Sequence, residues 1–260
     1  MAAPRLPHQK GMRRTLVIAG IIAITSLAPS AAQASSITFT GSDGSGLAAS
    51  VTFDDVGGNL QVTLTSTGGD PAVPADILTG IFFDMLGSPT LSPVSAVLGA
   101  GSTVTNGGTT DAGGGVGGEW AYKSTTNIAY GADYGISSTG LGLFGPGDLF
   151  GGTNLNGPVD PDGDQYGIVS TAQTPGNDNP KIAGTPFIMD TVVLTLSGLP
   201  DGFDPSQSIS NVTFQFGSEL IEPHLPGNDP GSPVPEPASL VLFGSGLTLL
   251  SAKLRKRTRR

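Results

Sequence analysis

Apolar residues occupy every second position in residues 47–53 and again in residues 60–64, with a Gly-containing turn between the two stretches. The apolar positions are Leu47, Ala49, Val51, Phe53, Leu60, Val62 and Leu64. Successive residues of a β-strand point to opposite faces, so a period of two places all of these side chains on one face. The pattern therefore predicts a β-hairpin with one buried face.

The same alternation recurs near the other end of the chain and predicts two more strands. Its apolar positions are Ile188, Val192, Leu194 and Leu196 in one stretch and Val212, Phe214 and Phe216 in another. Weaker strand patterns lie at residues 36–40, 80–86, 119–123, 135–144 and 166–171. Between the two terminal segments no stretch shows a convincing period of 3.6, although residues 91–99 would hold one helical turn.

Turn residues are abundant, with 40 glycines and 21 prolines among the 260 residues. Short strands joined by such turns are typical of a mainly β protein, and we expect an antiparallel β-sandwich of the jelly-roll type with long Gly-rich loops. Residues 99–118 contain 9 glycines and form either a mobile loop or an interaction surface. The chain has no cysteine, so a packed core rather than disulfides must stabilise it.

The first 34 residues have the three parts of a secretory signal peptide. Arg13 and Arg14 precede the apolar run from Thr15 to Ala28, and Ala32-Gln33-Ala34 supplies the small residues of a cleavage site. We therefore expect signal peptidase to cut between Ala34 and Ser35, and the secretory pathway to carry the rest of the chain through the inner membrane.

Charge is segregated along the chain. Of the 12 Lys and Arg residues only Lys123 and Lys181 lie between the apolar run at residues 15–28 and a second apolar run at residues 238–252. All 21 acidic residues fall between Asp43 and Glu236. A surface so acidic repels phosphate backbones, which argues against nucleic acid as a partner.

The C-terminus combines a short apolar run with a basic end. Ala238 to Ala252 is 15 residues, which as a helix spans about 22 Å, less than the hydrocarbon core of about 30 Å. The six Lys and Arg residues that follow would stay on the cytoplasmic side by the positive-inside rule. The pattern indicates a short transmembrane helix that holds the chain in the inner membrane only transiently.

Pro235, Glu236 and Pro237 stand directly before this apolar run. Two prolines keep such a segment extended, in a form that a processing enzyme can bind. With the helix and the basic end, residues 234–260 resemble the PEP-CTERM sorting signal of Gram-negative bacteria. The resemblance implies that exosortase, a membrane enzyme, recognises the motif, removes the tail and passes the protein to the cell surface or the polysaccharide matrix.

These signals divide the chain into four parts. Residues 1–34 are the predicted signal peptide, 35–221 the ectodomain, 222–233 a Pro- and Gly-rich stalk, and 234–260 the sorting signal. Prolines in the stalk are expected to hold it extended between the ectodomain and the membrane.

Few residues suggest chemistry. The chain has no cysteine, and His224 is the one histidine after the signal peptide, so Cys–His pairs, Ser–His–Asp triads and His-rich zinc sites lack support. Two carboxylates suffice for a glycosidase, and Glu119 beside Trp120 and Tyr122 is the most suggestive acid, although it is also a normal solvated strand residue. We do not expect an enzyme.

Two binding hypotheses remain, and the first concerns calcium. Asp160, Asp162 and Asp164 have the spacing of the first ligands of an EF-hand calcium loop, but Gln165 and Thr171 stand where its Gly and Glu belong. Calcium is the one cofactor that the sequence suggests.

Trp120 and Tyr122 carry the other binding hypothesis, because they would share one strand face and could stack on a sugar ring. They could equally belong to the core. The sequence as a whole favours a structural or adhesive protein of the exopolysaccharide or biofilm matrix. A carbohydrate-binding module is the alternative, and a secreted glycoside hydrolase comes after it.

Overall fold

The computed structural model describes residues 36–141, 152–156, 164–170 and 182–228. Within these ranges the chain is mainly β, with one 3-10 turn at Pro74–Asp76 and one four-residue helix, α1, at Pro205–Ser208. The strands are β1 (Ser36–Ser42), β2 (Ala48–Val56), β3 (Asn59–Ser66), β4 (Leu78–Met85), β5 (Ser92–Leu98), β6 (Thr103–Val104), β7 (Ala121–Ala129), β8 (Ala132–Ser137), β9 (Thr153–Asn154), β10 (Ile168–Val169), β11 (Ile188–Met189), β12 (Thr191–Ser197), β13 (Ile209–Phe216) and β14 (His224–Pro226).

In the described ranges, sheet A has five antiparallel strands in the order β1-β2-β3-β12-β5. Its first three strands form a meander, and β12 then pairs with β3 on one side and β5 on the other. The mainly β, mainly antiparallel architecture predicted from the sequence is confirmed. Its jelly-roll form is not, because three consecutive strands are neighbours within one sheet.

Sheet B has nine strands among the described residues and is built around β4. The order along the sheet is β6-β11-β10-β4-β8-β7-β9, and β13 pairs with both β4 and β14. The pairings are antiparallel except for β10 with β11, which is parallel.

The two sheets pack on each other through one apolar core. Inward side chains of sheet A such as Val51 and Val62 belong to the same cluster as those of sheet B, and the rings of Phe53 and Phe83 lie 4.9 Å apart. A second apolar cluster includes Phe82, the neighbour of Phe83 on β4, and Leu141. Because β4 has apolar contacts on both faces, seven of its eight residues are buried.

The strongest strand predictions are confirmed. β2, β3 and β12 alternate between buried and partly exposed residues as the sequence pattern requires, and β13 contains the last predicted stretch. The stretch from residue 188 to 196 is divided, however, because Ile188 lies on β11 in sheet B and β12 lies in sheet A. Asp190, at a φ of 82°, stands between the two strands and redirects the chain.

The weaker patterns also contain strands. In the 135–144 stretch, which is described as far as residue 141, only residues 135–137 belong to a strand, β8. The single helical turn considered for residues 91–99 is wrong, because Ser92–Leu98 form β5 beside β12. Backbone pairing with an existing sheet edge thus determines the conformation of this segment.

The C-terminal segment of the described chain is part of the fold. β14 pairs with β13 in sheet B, and Thr40 of β1 and Asn228 exchange hydrogen bonds of 3.2 and 2.7 Å between their backbones. Leu225 of β14 is buried in the core. The chain therefore stays on the domain to Asn228, past the predicted start of the stalk at residue 222, because Leu225 has a core position to fill.

Several predictions lie outside the described residues. These are the signal peptide with its cleavage site at Ala34 and Ser35, the motif Pro235-Glu236-Pro237 with the apolar run after it, and Asp160 and Asp162. Of the helices in the part that the structure describes, none is long and apolar enough to cross a membrane.

Candidate functional sites

The Gly-rich loop after β6 folds back along the open edge of sheet A. The Leu98 amide donates to the Gly114 carbonyl at 2.9 Å, and the Val116 amide donates to the Ala96 carbonyl at 2.9 Å. A tight turn closes the loop where the Asp111 amide donates to the Gly115 carbonyl at 2.8 Å. Residues 111–116 are thereby fixed beside β5, and the loop covers part of an edge that would otherwise be open.

Gly117 lets a second segment approach this loop. A Cβ atom at position 117 would lie 2.5 Å from the Asn156 carbonyl oxygen and 2.7 Å from the Asn156 nitrogen, so only glycine fits. Next to it, the Leu155 amide donates to the Trp120 carbonyl at 2.9 Å. Residues 152–156 therefore pack directly against the end of the Gly-rich loop.

A polar cleft of about 130 Å³ lies beside the loop. Tyr166 forms one wall, where its hydroxyl donates to the Thr109 carbonyl at 2.8 Å and accepts from the Thr109 amide at 3.1 Å. Two acidic residues, Asp111 and Glu119, line the same cleft. The full lining is Thr109, Thr110, Asp111, Gly115, Val116, Gly118, Glu119 and Tyr166.

This cleft is lined by two acidic residues and threonines, which can hydrogen-bond to a polar ligand, whereas the Tyr166 hydroxyl is already bonded to the Thr109 backbone. It is smaller than the roughly 300–1,000 Å³ of drug-sized ligand pockets, so it has room only for a small polar group. The sequence pointed to Glu119 alone, and the structure adds Asp111. Sequence reasoning missed Asp111 because its position in the cleft depends on how the Gly-rich loop folds back.

The structure places the predicted aromatic platform in the core. Trp120 is 0% exposed and Tyr122 is 5% exposed, and both side chains belong to the main apolar cluster. The alternation had put the two rings on one face, and that face is the inner one, so neither ring is open to a sugar. Burial also raises the pKa of the Tyr122 hydroxyl.

The other two tyrosines of this region, Tyr130 and Tyr134, have structural contacts as well. Tyr134 stacks on Phe83 with ring centres 5.5 Å apart, and burial is the main cause that raises the pKa of Tyr134 to about 12. Tyr130 stacks on His224 at 4.3 Å and donates its hydroxyl to the Leu220 carbonyl at 2.9 Å. His224 therefore packs against the domain.

Asp164 is the one predicted calcium ligand among the described residues. Its Oδ1 atom is buried and has no hydrogen-bond partner among those residues. Burial, and then the negative charge of Glu222, raise the pKa of Asp164 to about 6. Glu222 in turn accepts hydrogen bonds from the amides of Ser218 and Glu219, the latter at 2.8 Å.

Glu222 is thus a carboxylate whose charge acts on Asp164, and the sequence did not reveal it because the two residues are far apart along the chain. In the ranges that the structure describes, no three His, Cys, Asp or Glu side chains lie close enough together to hold a metal ion. With Asp160 and Asp162 outside those ranges, the calcium site stays a prediction.

Comparison with known protein families identifies the C-terminal segment. Residues 233–260 match the family model of the PEP-CTERM protein-sorting motif, and Pro235, Glu236 and Pro237 lie inside the matched stretch. The resemblance seen in the sequence is confirmed for this segment, which indicates exosortase-dependent sorting of an exported protein. No curated protein and no solved structure shows significant similarity to the chain.

Proposed function

We propose that the chain is an exported matrix or cell-surface protein of a Gram-negative bacterium, with a structural or adhesive role in exopolysaccharide. In this proposal signal peptidase removes residues 1–34, the domain of residues 36–228 is displayed outside the cell, and exosortase removes the tail. The single observation that carries the proposal is the match of residues 233–260 to the sorting motif, soon after the last described residues of the domain.

The order of the C-terminal parts explains how the tail would work. The apolar run and its basic end stall the chain in the inner membrane, with the domain already outside. The prolines at 235 and 237 remove backbone donors and fix φ, so the motif cannot join the following helix and stays open to an enzyme. Cutting there would release the domain from a helix that is shorter than the hydrocarbon core and therefore poorly suited to be a permanent anchor.

The outer face of sheet A supports a role in contact with neutral polysaccharide. Many of its side chains are short hydroxyl groups, which also bond to one another across the strands: Thr38 to Thr52 at 2.7 Å and Thr65 to Thr191 at 2.9 Å. The only charged residues in the five strands of this sheet are Asp54 and Asp55, at one end of β2. Neutral glycans can therefore approach most of this face without burying a charge.

A test of the sorting proposal compares wild-type cells with cells that lack exosortase. We expect the wild type to yield surface or matrix protein without the basic tail, and the deletion to leave a longer form in the inner membrane. Fractionation followed by intact-mass measurement reads both the place and the length of the protein. An unchanged mass and location in the deletion strain would contradict the proposal.

Glycan binding at the cleft is the second candidate function, and the shared position of Asp111 and Glu119 favours it. Binding of the exported protein to a glycan array, compared with the variants Asp111→Asn and Glu119→Gln, tests it. We expect both variants to lose roughly tenfold in affinity, about 1.4 kcal/mol each, and the exposed-loop control Asp201→Asn to bind as the wild type does. Release of shortened glycan by the wild type but by neither cleft variant would point to a glycoside hydrolase instead.

A further inference from the structure

We infer that the outer face of sheet A binds a neutral polysaccharide chain, which lies across the strands on rows of Ser and Thr hydroxyls. This site rests on the proposed matrix function and deepens it, because it specifies the binding surface and the class of glycan. Seven residues form the surface, which we call the hydroxyl ladder: Thr38, Thr40, Ser50, Thr52, Thr63, Thr65 and Thr191.

The strand register aligns the hydroxyl ladder in two rows. The first row crosses four adjacent strands in the order Thr40, Ser50, Thr65 and Thr191. The second row crosses three strands in the order Thr38, Thr52 and Thr63. Neighbouring strands lie about 4.7–4.9 Å apart, and residues two apart in one strand are separated by about 6.8 Å. A glycan laid along a row therefore meets a hydroxyl at a spacing close to the length of one sugar unit in an extended chain.

The ladder is open to solvent and uncharged. Thr40 is exposed and the other six residues are partly exposed, because the alternation of each strand turns them away from the core. The region between the two apolar runs is otherwise acidic, with only Lys123 and Lys181 as basic residues. Such a domain repels an anionic polysaccharide, and the ladder offers no cation to hold one. Charge therefore favours a neutral glycan as the occupant.

Hydrogen bonds between the hydroxyls hold the ladder in one arrangement. Thr38 bonds to Thr52 at 2.7 Å, and Thr65 bonds to Thr191 at 2.9 Å. Each pair uses one of its two hydroxyl hydrogens, which leaves the other hydrogen and several lone pairs for a ligand. Sugar hydroxyls likewise both donate and accept. Because the paired threonines are already ordered, binding costs less side-chain entropy than on a surface of long flexible residues.

Methyl groups lie between the hydroxyls of the ladder. Each threonine carries one, and the second row continues from Thr63 to Val193 of β12 and Val97 of β5. Both valines are partly exposed. A sugar ring has hydroxyls at its rim and C–H groups on its faces, so a surface that mixes hydroxyls with methyls can contact both.

Affinity electrophoresis of the exported protein tests the site with two probes, hydroxyethylcellulose as a neutral β-glucan and alginate as an anionic polysaccharide. We expect hydroxyethylcellulose in the gel to retard the wild type and alginate to leave its mobility unchanged. The double variant Thr52→Val with Thr65→Val removes one hydroxyl from each row but keeps the β-branched shape, and should bind about tenfold more weakly. The matched control is Thr125→Val with Thr126→Val, at exposed positions of β7 in sheet B, which should be retarded as the wild type is.

A second variant keeps the test decisive if the valine variant fails to fold. Thr63→Glu places a charge in the middle of the ladder, where a bound glycan would bury it, so we expect retardation by hydroxyethylcellulose to be lost. Thermal unfolding of each variant identifies those that fold. Equal retardation of the wild type and the folded ladder variants would overturn the inference, as would retardation of the wild type by alginate alone.

Two further outcomes would assign the binding elsewhere and so overturn the inference. Retardation that Asp111→Asn abolishes and the ladder variants keep would place the glycan in the cleft. A wild-type dimer in analytical ultracentrifugation that the ladder variants lose would make this face a contact between two copies of the chain. The tail mass of the same samples reports on sorting separately, so failure of the ladder and failure of the proposed function can be told apart.

Discussion

Asp164 carries a clear electrostatic cost within the domain. Its pKa is raised to about 6 by burial and by Glu222, so the folded chain binds this proton more tightly than the unfolded chain does. The ionised carboxylate therefore destabilises the fold at pH values above that pKa, and the penalty disappears as the pH falls toward the unfolded pKa of about 4.

We expect Asp164→Asn to raise the free energy of unfolding at neutral pH by about 1 kcal/mol, a figure that allows for solvent screening of a partly exposed group. The gain should vanish near a pH of about 3, where Asp164 is protonated in both states. Urea unfolding in EDTA at the two pH values measures it. Equal or lower stability of the variant at neutral pH would contradict the prediction, and stabilisation of the wild type by added calcium would support the metal site.

Gly117 is a residue at which a small change should have a large local effect. We expect Gly117→Ala to lower the free energy of unfolding by about 2 kcal/mol, because the new methyl group would collide with the backbone at Asn156. Gly69→Ala is the matched control, since the nearest atom to its added Cβ is 4.0 Å away. Thermal unfolding of both variants tests this, and similar midpoints for the two would refute the close approach.

Trp120 shows what sequence alone could and could not decide at this scale. The alternation correctly placed Trp120 and Tyr122 on one face. Which face pointed to the core could not be read from the pattern, because both faces of sheet B carry buried apolar residues. Asp111 and Glu222 were missed for a different reason, as each reaches its site through a loop whose path the sequence does not encode locally.

At the scale of elements, β14 gives a sharp test of the domain boundary. Leu225 is 6% exposed and belongs to the core, whereas the nearby Ile221 is 89% exposed. We expect Leu225→Ala to lower the free energy of unfolding by about 2–3 kcal/mol and Ile221→Ala to have almost no effect. Denaturant unfolding compares them. A neutral Leu225→Ala would mean that the segment is an extended stalk, as its composition suggested.

The strands that the sequence predicted strongly differ physically from the others. β2, β3 and β12 have one face in the core and one toward solvent, so their burial alternates and the sequence shows it. β4 is continuously buried from Leu78 to Phe83, because apolar clusters cover both of its faces. Its sequence therefore lacks the alternation of apolar and polar residues that marks a strand with one buried face. β14 contains Pro226 and lies in a Pro-rich stretch, a composition that suits an edge strand as well as a linker.

At the scale of the whole molecule, the described domain ends beside its first strand. Asn228 bonds to Thr40 of β1, and the Gly227 amide donates to the Val212 carbonyl of β13 at 2.8 Å. The last described residues thus contact both sheets, and the matched sorting segment starts soon after them. Because these contacts hold Gly227 and Asn228 on the domain, we expect removal of the tail to leave the fold intact.

The last prediction follows from that separation of domain and tail. We expect Glu236→Ala to impair tail removal, because Glu236 is the one charged group in the motif Pro235-Glu236-Pro237, and to trap a longer form in the inner membrane. Ser232→Ala is the control, since residue 232 lies just outside the matched segment. Because backbone hydrogen bonds hold the chain on the domain as far as Asn228, the trapped form should resist a soluble protease up to Asn228 as well as the mature form does. Fractionation, intact mass and limited proteolysis of the variant, control and wild type measure this, and recovery of wild-type protein ending at Arg260 from the cell surface would contradict it.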